Sequence, residues 1–382
     1  MKKKTIIIGI ETSCDEPAVS ILRDNGKNRP KILSSVVSSQ FEVHKKFGGV
    51  VPDLAARAHL DKIDIMTKKA LKISKVKLKD IDAVAATAGP GLIVCLSVGL
   101  NFAKALSLSL KKPFIAVNHL EGHALSPKLN FNIKYPYLLF LISGGHTQYL
   151  TVKKLGDYKR LGTTIDDALG EAFDKTAKLL NLGYPGGPKI EELARNGDEN
   201  RFVLPKPILN RGGCNLSFAG LKTAILRVKE FIKTDKDKND LAASFQKTVL
   251  DILYKKTKKA IEQHLELYPK NRTLVVAGGV AREWFQSFVC VTILGAFYPY
   301  FFTSSRLVSA LLFNPDFALW SYSSINQMCM QINPSSGVAN DEHLRYFHFT
   351  GRLLGKALFD RQIVAGHLVR PLYKVSVFAL LF

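Results

Sequence analysis

Hydrophobic residues in this chain fall into short β-branched runs separated by polar or glycine-rich breaks, with longer stretches of helical spacing between them. Ile6–Ile10 is an apolar run ended by Glu11, a turn rich in Ser, Cys and Asp occupies Thr12–Glu16, and Ala18–Leu22 resumes as a strand. Lys31–Ser39 reads as a third strand. Leu54–Ile73 places apolar residues three and four apart, which predicts an amphipathic helix. Ile81–Ala86 reads as a buried strand running towards Gly89-Pro90-Gly91, Leu96–Leu110 as a helix and Phe114–Val117 as another strand. The order then restarts. Tyr137–Ile142 is a strand, Ser143–Thr147 a turn and Gln148–Val152 the returning strand. Helices follow at Gly170–Leu182, Lys189–Arg195, Leu221–Ile232 and Leu241–His264, and Arg272–Val276 is a strand entering Gly278-Gly279.

Two halves that each open strand–turn–strand predict an α/β fold duplicated in the manner of actin and hexokinase (ASKHA, ribonuclease-H-like). Its two lobes would enclose a nucleotide-type ligand. The expected organisation is lobes at about 1–125 and 126–283, an apolar junction at 284–306 and a further segment at 307–382. The division rests on a break in composition. Of 37 aromatic residues, 19 lie in 284–382, including both Trp, and the same residues carry a net charge of only +3 of the chain's +22. From Trp284 to Ser305 no residue is charged. That run is long enough to reach across a membrane, but Gln286, Gly295 and Pro299 interrupt it and no flanking positive cluster orients it, so no membrane partner is expected.

The excess of Lys and Arg suits a nucleic-acid partner, because cationic side chains neutralise phosphates and release counterions. Lys-rich composition also follows from genome base bias, so charge leaves the partner open. The five cysteines are scattered with no C-x-x-C pair, which argues against a zinc ribbon or a disulfide framework and fits a reducing compartment. The first apolar run is too short for a secretory signal, and a cytoplasmic location is expected.

Candidate chemistry concentrates in the turns. In His119-Leu120-Glu121-Gly122-His123, two His at i and i+4 of a helix point the same way and can chelate one metal ion. The metalloprotease arrangement H-E-x-x-H is excluded. Glu121 stands third in the motif, about 200° around from His119 at 3.6 residues per turn, and cannot polarise a water on the metal face. Ser143-Gly144-Gly145-His146-Thr147 places two glycines on a turn, where backbone N–H groups can approach a phosphate or carboxylate; an ordinary hairpin turn reads the same way. Gly183–Pro188 precedes a helix and could receive a ribose or phosphate, or act as a stiff connector. Asp174 lies near a helix start, where a carboxylate is more often a dipole partner than a ligand.

These motifs follow one another in the order of a known family. Gly9–Glu16, Phe47–Pro52, Gly89–Leu92, Asn118–His123, Ser143–Thr147, Gly170–Lys175, Tyr184–Pro188, Ser217–Thr223 and Ala277–Val280 resemble the TsaD family, bacterial tRNA adenosine threonylcarbamoyltransferases, over about residues 5–281. The resemblance implies transfer of threonylcarbamoyl from threonylcarbamoyl-AMP to N6 of adenosine 37 in tRNAs reading codons that begin with A. It implies one divalent metal ion, iron by family habit with zinc an alternative, held by His119 and His123 and by an Asp of a later T-D-N segment. It assigns binding of the intermediate to Leu141, Ile142, Ser143, Gly144, Gly145, Asp174 and Gly187, and TsaB-like and TsaE-like proteins as partners. No side chain of the motifs is an obvious nucleophile, so direct attack by the tRNA amine is the economical route, and no catalytic residue is assigned.

Three departures accompany the resemblance. Pro17 stands where the family has Thr, removing a hydroxyl and a backbone N–H from the first turn. The family's Gly-Gly-Val-x-Ala-Asn ends here as Gly278-Gly279-Val280-Ala281-Arg282-Glu283, and no T-D-N segment follows. Impaired activity and weak metal binding are therefore expected. Asn314–Phe317, Gln331–Gly337, His343–Tyr346 and Gly351–Leu358 resemble an α-rich part of the N-lobe of a HECT ubiquitin ligase over about 307–374, which suggests a chimera. Two other readings compete. An actin-fold kinase or ATPase would have no use for the His pair, and a non-catalytic interaction module would rest on a HECT-like fragment lacking most of its lobe.

Overall fold

A computed structural model of the 382-residue chain describes residues 5–24, 26, 30–280, 320–322 and 330–332. The chain divides into two compact units, Met1–Ile293 and Leu294–Phe382.

The first unit contains two sheets of related topology. The first is built from β1 (Thr5–Glu11), β2 (Ala18–Asp24), β3 (Lys31–Val37), β4 (Ala83–Gly89) and β5 (Phe114–Asn118), in the order β3-β2-β1-β4-β5. The β1–β2–β3 meander is antiparallel, whereas β4 and β5 join in parallel through helical crossovers. The helices of this half are α1 (Phe41–Lys45), α2 (Pro52–Ser74), α3 (Ile93–Leu110) and α4 (His119–Leu125). Ile8, Ile10, Val19 and Ile21 of the sheet pack with Ile63, Met66 and Ala70 of α2 and Ala103 of α3. Pro52 starts α2, where its missing N–H costs nothing, and left-handed Lys75 stops it. α3 is long and apolar enough to cross a membrane by length and composition, yet Cys95, Leu96, Gly99, Ala103 and Ser107 along one face are buried in the protein.

After α5 (Pro127–Asn130), the second half repeats the plan with β6 (Tyr137–Ile142), β7 (Thr147–Lys154), β8 (Asp157–Thr163) and β9 (Leu274–Ala277), in the order β8-β7-β6-β9. Strand for strand this matches β3-β2-β1-β4, so the duplicated α/β architecture expected from the sequence is the one the chain adopts. A counterpart of β5 would fall outside the described residues. Every residue of β6 is buried, which its unbroken apolar run requires of a strand covered on both faces. The helices of this half are α6 (Leu169–Leu179), α7 (Gly186–Ala194), α8 (Ala219–Lys229) and α9 (Asp235–Leu267). α9 spans the lobe and ties into the sheet where Tyr149 Oη meets Thr257 Oγ1 at 2.8 Å.

Three details differ from the sequence reading. β8 went unread because Asp157, Lys159 and Arg160 give it the polarity of a loop; it is an edge strand. α7 begins at Gly186, not Lys189, so Gly187 lies in its first turn. α6 begins at Leu169, which sets Asp174 in the second turn and not at the helix start.

In the second unit, β10 (Trp320–Tyr322) and β11 (Met330–Ile332) pair antiparallel. The apolar junction at 284–306 and the helices expected of the HECT-like segment lie outside the described residues, as does Glu283.

Candidate functional site

The His pair sits where β5 passes into α4. Asn118 Oδ1 caps that helix by accepting from the backbone N–H groups of Leu120 and Glu121, at 2.9 and 3.2 Å. One turn apart, the His119 and His123 rings meet edge to face, with centroids 4.6 Å apart and planes at 79°. Glu121 points elsewhere, accepting from Tyr158 Oη at 2.5 Å and from Gly156 N at 3.2 Å. This agrees with its exclusion from the metal face.

The first-lobe turn closes on His119. Ser13 Oγ lies 3.1 Å and Glu11 Oε2 3.3 Å from His119 Nδ1. Glu11 also accepts from the Thr87 hydroxyl and from Ser13 N. Burial alone would raise the Glu11 pKa, but hydrogen bonds from His119, Ser13 and Thr87 outweigh it and hold the carboxyl at about 2. His123 is pushed down to about 4 by burial and then by the neighbouring His119. His146 is lowered by burial and also feels His119, which sets the Ser143–Thr147 turn beside the pair.

A buried chain of hydrogen bonds holds the Thr12–Glu16 turn from behind. Val51 N–H donates to His44 Nδ1 (3.3 Å), His44 Nε2 to Gln40 Oε1 (3.2 Å), Gln40 Nε2 to His59 Nδ1 (2.9 Å) and His59 Nε2 to the Cys14 carbonyl (2.7 Å). His44 and His59 are fully buried, and each accepts at Nδ1 and donates from Nε2. The sequence offered no sign of this relay beyond two unassigned His residues.

The second-lobe turn is closed by Ser143, whose N–H donates to the His146 carbonyl at 2.7 Å and whose Oγ accepts from His146 N at 3.0 Å. Gly144 and Gly145 border open space, where a ligand can approach the backbone. Around the turn the packing is tight. A Cβ on Gly170 would stand 2.9 Å from Gly144 Cα and 2.8 Å from Val280, and one on Gly278 would meet the Ile142 carbonyl at 2.1 Å. Glu171 N donates to the Gly144 carbonyl at 3.2 Å, so the α6 N-terminus abuts the turn. Leu141 and Ile142 are fully buried in β6, where they pair with Gln148 and Thr147 of β7, so neither reaches the surface of the site. Asp174 Oδ1 accepts from Gly186 N at 2.7 Å and so draws the first turn of α7, with Gly187, against α6.

Two imidazoles on one helix face, one of them braced by a carboxylate, form a donor set that suits a borderline divalent ion. Among the described residues no third His, Cys, Asp or Glu joins them in a group of three or more.

Residues 31–299 match the family described as tRNA N6-adenosine threonylcarbamoyltransferase (TsaD), past the seam expected at 283, and residues 306–379 match the HECT-domain (ubiquitin-transferase) family. The chain is 67% identical over 282 residues to the tRNA N6-adenosine threonylcarbamoyltransferase of Pelagibacter ubique, covering 74% of this chain and 79% of that protein. It is 54% identical over 279 residues to the enzyme of the same name from Rickettsia massiliae, covering 72% and 80%. A solved hexokinase of the ROK type from Thermus thermophilus aligns at a TM-score of 0.36 and 12% identity over 78% of this chain and 90% of that one, a likeness too distant to carry any argument. Ordered motifs, duplicated sheets and identity at this level place the chain in the TsaD family of tRNA N6-adenosine threonylcarbamoyltransferases, acyl-transferring enzymes that modify tRNA.

Proposed function

We propose that the chain transfers threonylcarbamoyl from threonylcarbamoyl-AMP to N6 of adenosine 37 in tRNAs reading codons that begin with A, on the surface shared by the His pair and the Ser143–Thr147 turn. The observation that carries this reading is the nearness of His146, in the glycine turn of one lobe, to His119, which is bound to Glu11 and Ser13 of the other. In this scheme the backbone of Ser143–Gly145 and the first turn of α7 at Gly187 hold the phosphate side of the intermediate, with Asp174 fixing α7 in place. The adenosine amine forms the new N–C bond and gives up one proton to solvent, the C–O bond to the phosphate breaks, and AMP leaves with the bonding pair as its phosphate anion. Donors already aimed at that charge lower the barrier without reorganising. His119 and His123 would hold the metal of this metal-dependent family, iron or else zinc, which supplies Lewis-acid stabilisation of the leaving group. The enzyme would work in the cytoplasm with TsaB-like and TsaE-like partners.

We further propose the division into 1–283, 284–306 and 307–382, with the last part a HECT-like fragment that follows the transferase region. Sequencing the transcript across codons 280–306 tests whether the junction is real. Loss of the T-D-N carboxylate and of the Asn replaced by Glu283 would slow transfer. The chain and a version given a relative's sequence after Val280 are each incubated with partner proteins, threonine, bicarbonate, ATP and unmodified tRNA. The tRNA is then digested and the modified nucleoside quantified. The tail-restored protein should form it faster, and His119→Ala or His123→Ala in that protein should lower the yield by a hundredfold or so, as expected for loss of a metal ligand. No nucleoside from the restored protein, or full yield from both His variants, would refute the assignment.

A further inference from the structure

We propose that Glu11 is a positioning residue that fixes the tautomer of His119 and thereby aims its Nε2 lone pair into the site. The inference rests on the reading of His119 and His123 as metal donors. It comes from the hydrogen-bond inventory around a single ring nitrogen.

His119 Nδ1 has two neighbours, Glu11 Oε2 at 3.3 Å and Ser13 Oγ at 3.1 Å. Two protonation patterns are conceivable. If Ser13 donated its hydroxyl to an unprotonated Nδ1, the lone pair of that nitrogen would face the lone pairs of an ionised carboxylate at 3.3 Å, which is repulsive. If Nδ1 carries the proton, it donates to Glu11 and the Ser13 hydroxyl remains available to the same carboxylate. The other contacts favour the second pattern. Glu11 Oε2 already accepts from the Thr87 hydroxyl and Oε1 from Ser13 N, so the carboxylate is surrounded by donors and has no proton of its own to give.

With Nδ1 protonated, Nε2 is the bare nitrogen. That is the state a metal ligand needs, and an outer carboxylate on the far nitrogen both orients the ring and makes it a better donor. The contacts also couple parts distant in sequence: Glu11 ends β1, Thr87 lies in the neighbouring β4, and His119 opens α4 at the end of β5. The sheet therefore sets the angle of the ring. Glu11 touches no substrate in this scheme; it acts through His119.

Two measurements on the full chain test the proposal. In protein labelled with 15N-histidine and kept metal-free, long-range 15N–1H correlation spectra, assigned with His119→Ala, report which nitrogen of His119 carries the proton. The expected result is Nδ1–H. In parallel, cobalt(II) is titrated into the unsubstituted chain, Glu11→Gln, His119→Ala and His123→Ala, with visible absorbance and calorimetry as readouts. Glu11→Gln should bind cobalt roughly 10- to 100-fold more weakly, the usual cost of losing an outer partner of a ligand, at a temperature where dichroism shows the variant still folded. An Nε2–H tautomer in the unsubstituted chain overturns the proposal, and does so even if Glu11→Gln fails to fold. So does unchanged cobalt affinity in Glu11→Gln while both His→Ala variants lose binding. If neither His→Ala variant weakens cobalt binding, the metal reading itself has failed, and this outcome is distinct from the other two.

Discussion

At the scale of single residues, what could be read in advance was whatever is local in sequence. The i, i+4 spacing of His119 and His123 and the misdirection of Glu121 needed only the helix period. The braces on His119 did not follow from any pattern. Glu11 read as a strand terminator and Thr87 was given no role, because the meeting of Glu11 with His119 depends on sheet order across 108 positions of chain. The tight fit behind the first turn was equally hidden. Gly99 in α3 has no room for a side chain, since a Cβ there would lie 2.2 Å from the buried Thr12 Oγ1. Gly99→Ala must therefore push the helix and the Thr12–Glu16 turn apart. Overpacking of this kind costs about 1–3 kcal/mol, more than the gain in helix propensity from Gly to Ala. The urea midpoint should fall accordingly, and an unchanged or higher midpoint would show that the turn yields freely.

Elements with a clean hydrophobic period were legible, and those whose form is set by partners were not. β6 and α2 announce themselves by burial pattern, whereas β8 is polar and exists because β7 offers it an edge. The N-terminal turn of α9 went unread for a related reason. Asp235–Lys238 looks like a charged linker, but Thr234 caps the helix there, and Asp237 and Asp240 are drawn inward to receive Arg201. Both carboxylates are buried. Asp240 accepts first from Asp198 N and then from Arg201 and Lys236, which holds its pKa at about 2, below the ordinary 3.8. Asp237 is lowered as well, chiefly by Thr234 and the Lys233 backbone. A carboxyl with a depressed folded-state pKa adds stability that is complete above its unfolded value and disappears as protons bind the folded form. The stability supplied here should accordingly be lost between about pH 4 and pH 2. Urea unfolding at pH 6, 4 and 3, followed by far-ultraviolet dichroism, gives the midpoint at each pH. Asp240→Asn should lower the midpoint at pH 6 and flatten its decline below pH 4, and a slope as steep as that of the unsubstituted chain would show that other groups govern acid unfolding.

For the molecule as a whole, the fold was legible because it is said twice. The order β3-β2-β1-β4 recurs as β8-β7-β6-β9, so a weak reading of either half is reinforced by the other. Charge speaks at the same scale. The formal +22 is concentrated before residue 284, where +19 of it lies. Several of these lysines pair with acids, among them Lys68 with Asp64 and Lys247 with Glu199. Such exposed pairs contribute little to stability and exchange easily for a polyanion. A tRNA docked on this surface would displace counterions from its phosphates, and affinity would then fall steeply as salt rises. For about four neutralised phosphates the loss is roughly 50- to 150-fold between about 50 and 200 mM salt. Fluorescence anisotropy with labelled unmodified tRNA over that range should give a linear plot of log Kd against log salt. Removing charge from the first 283 residues, for example Lys68→Gln with Lys69→Gln and Lys72→Gln, should reduce the slope if α2 contributes to the docking face. Neutralising Arg306, Arg345 and Arg352 in the later segment should leave it unchanged. The reverse pattern would move the tRNA surface off the transferase lobes, and a flat salt response would deny that charge draws tRNA to this protein at all.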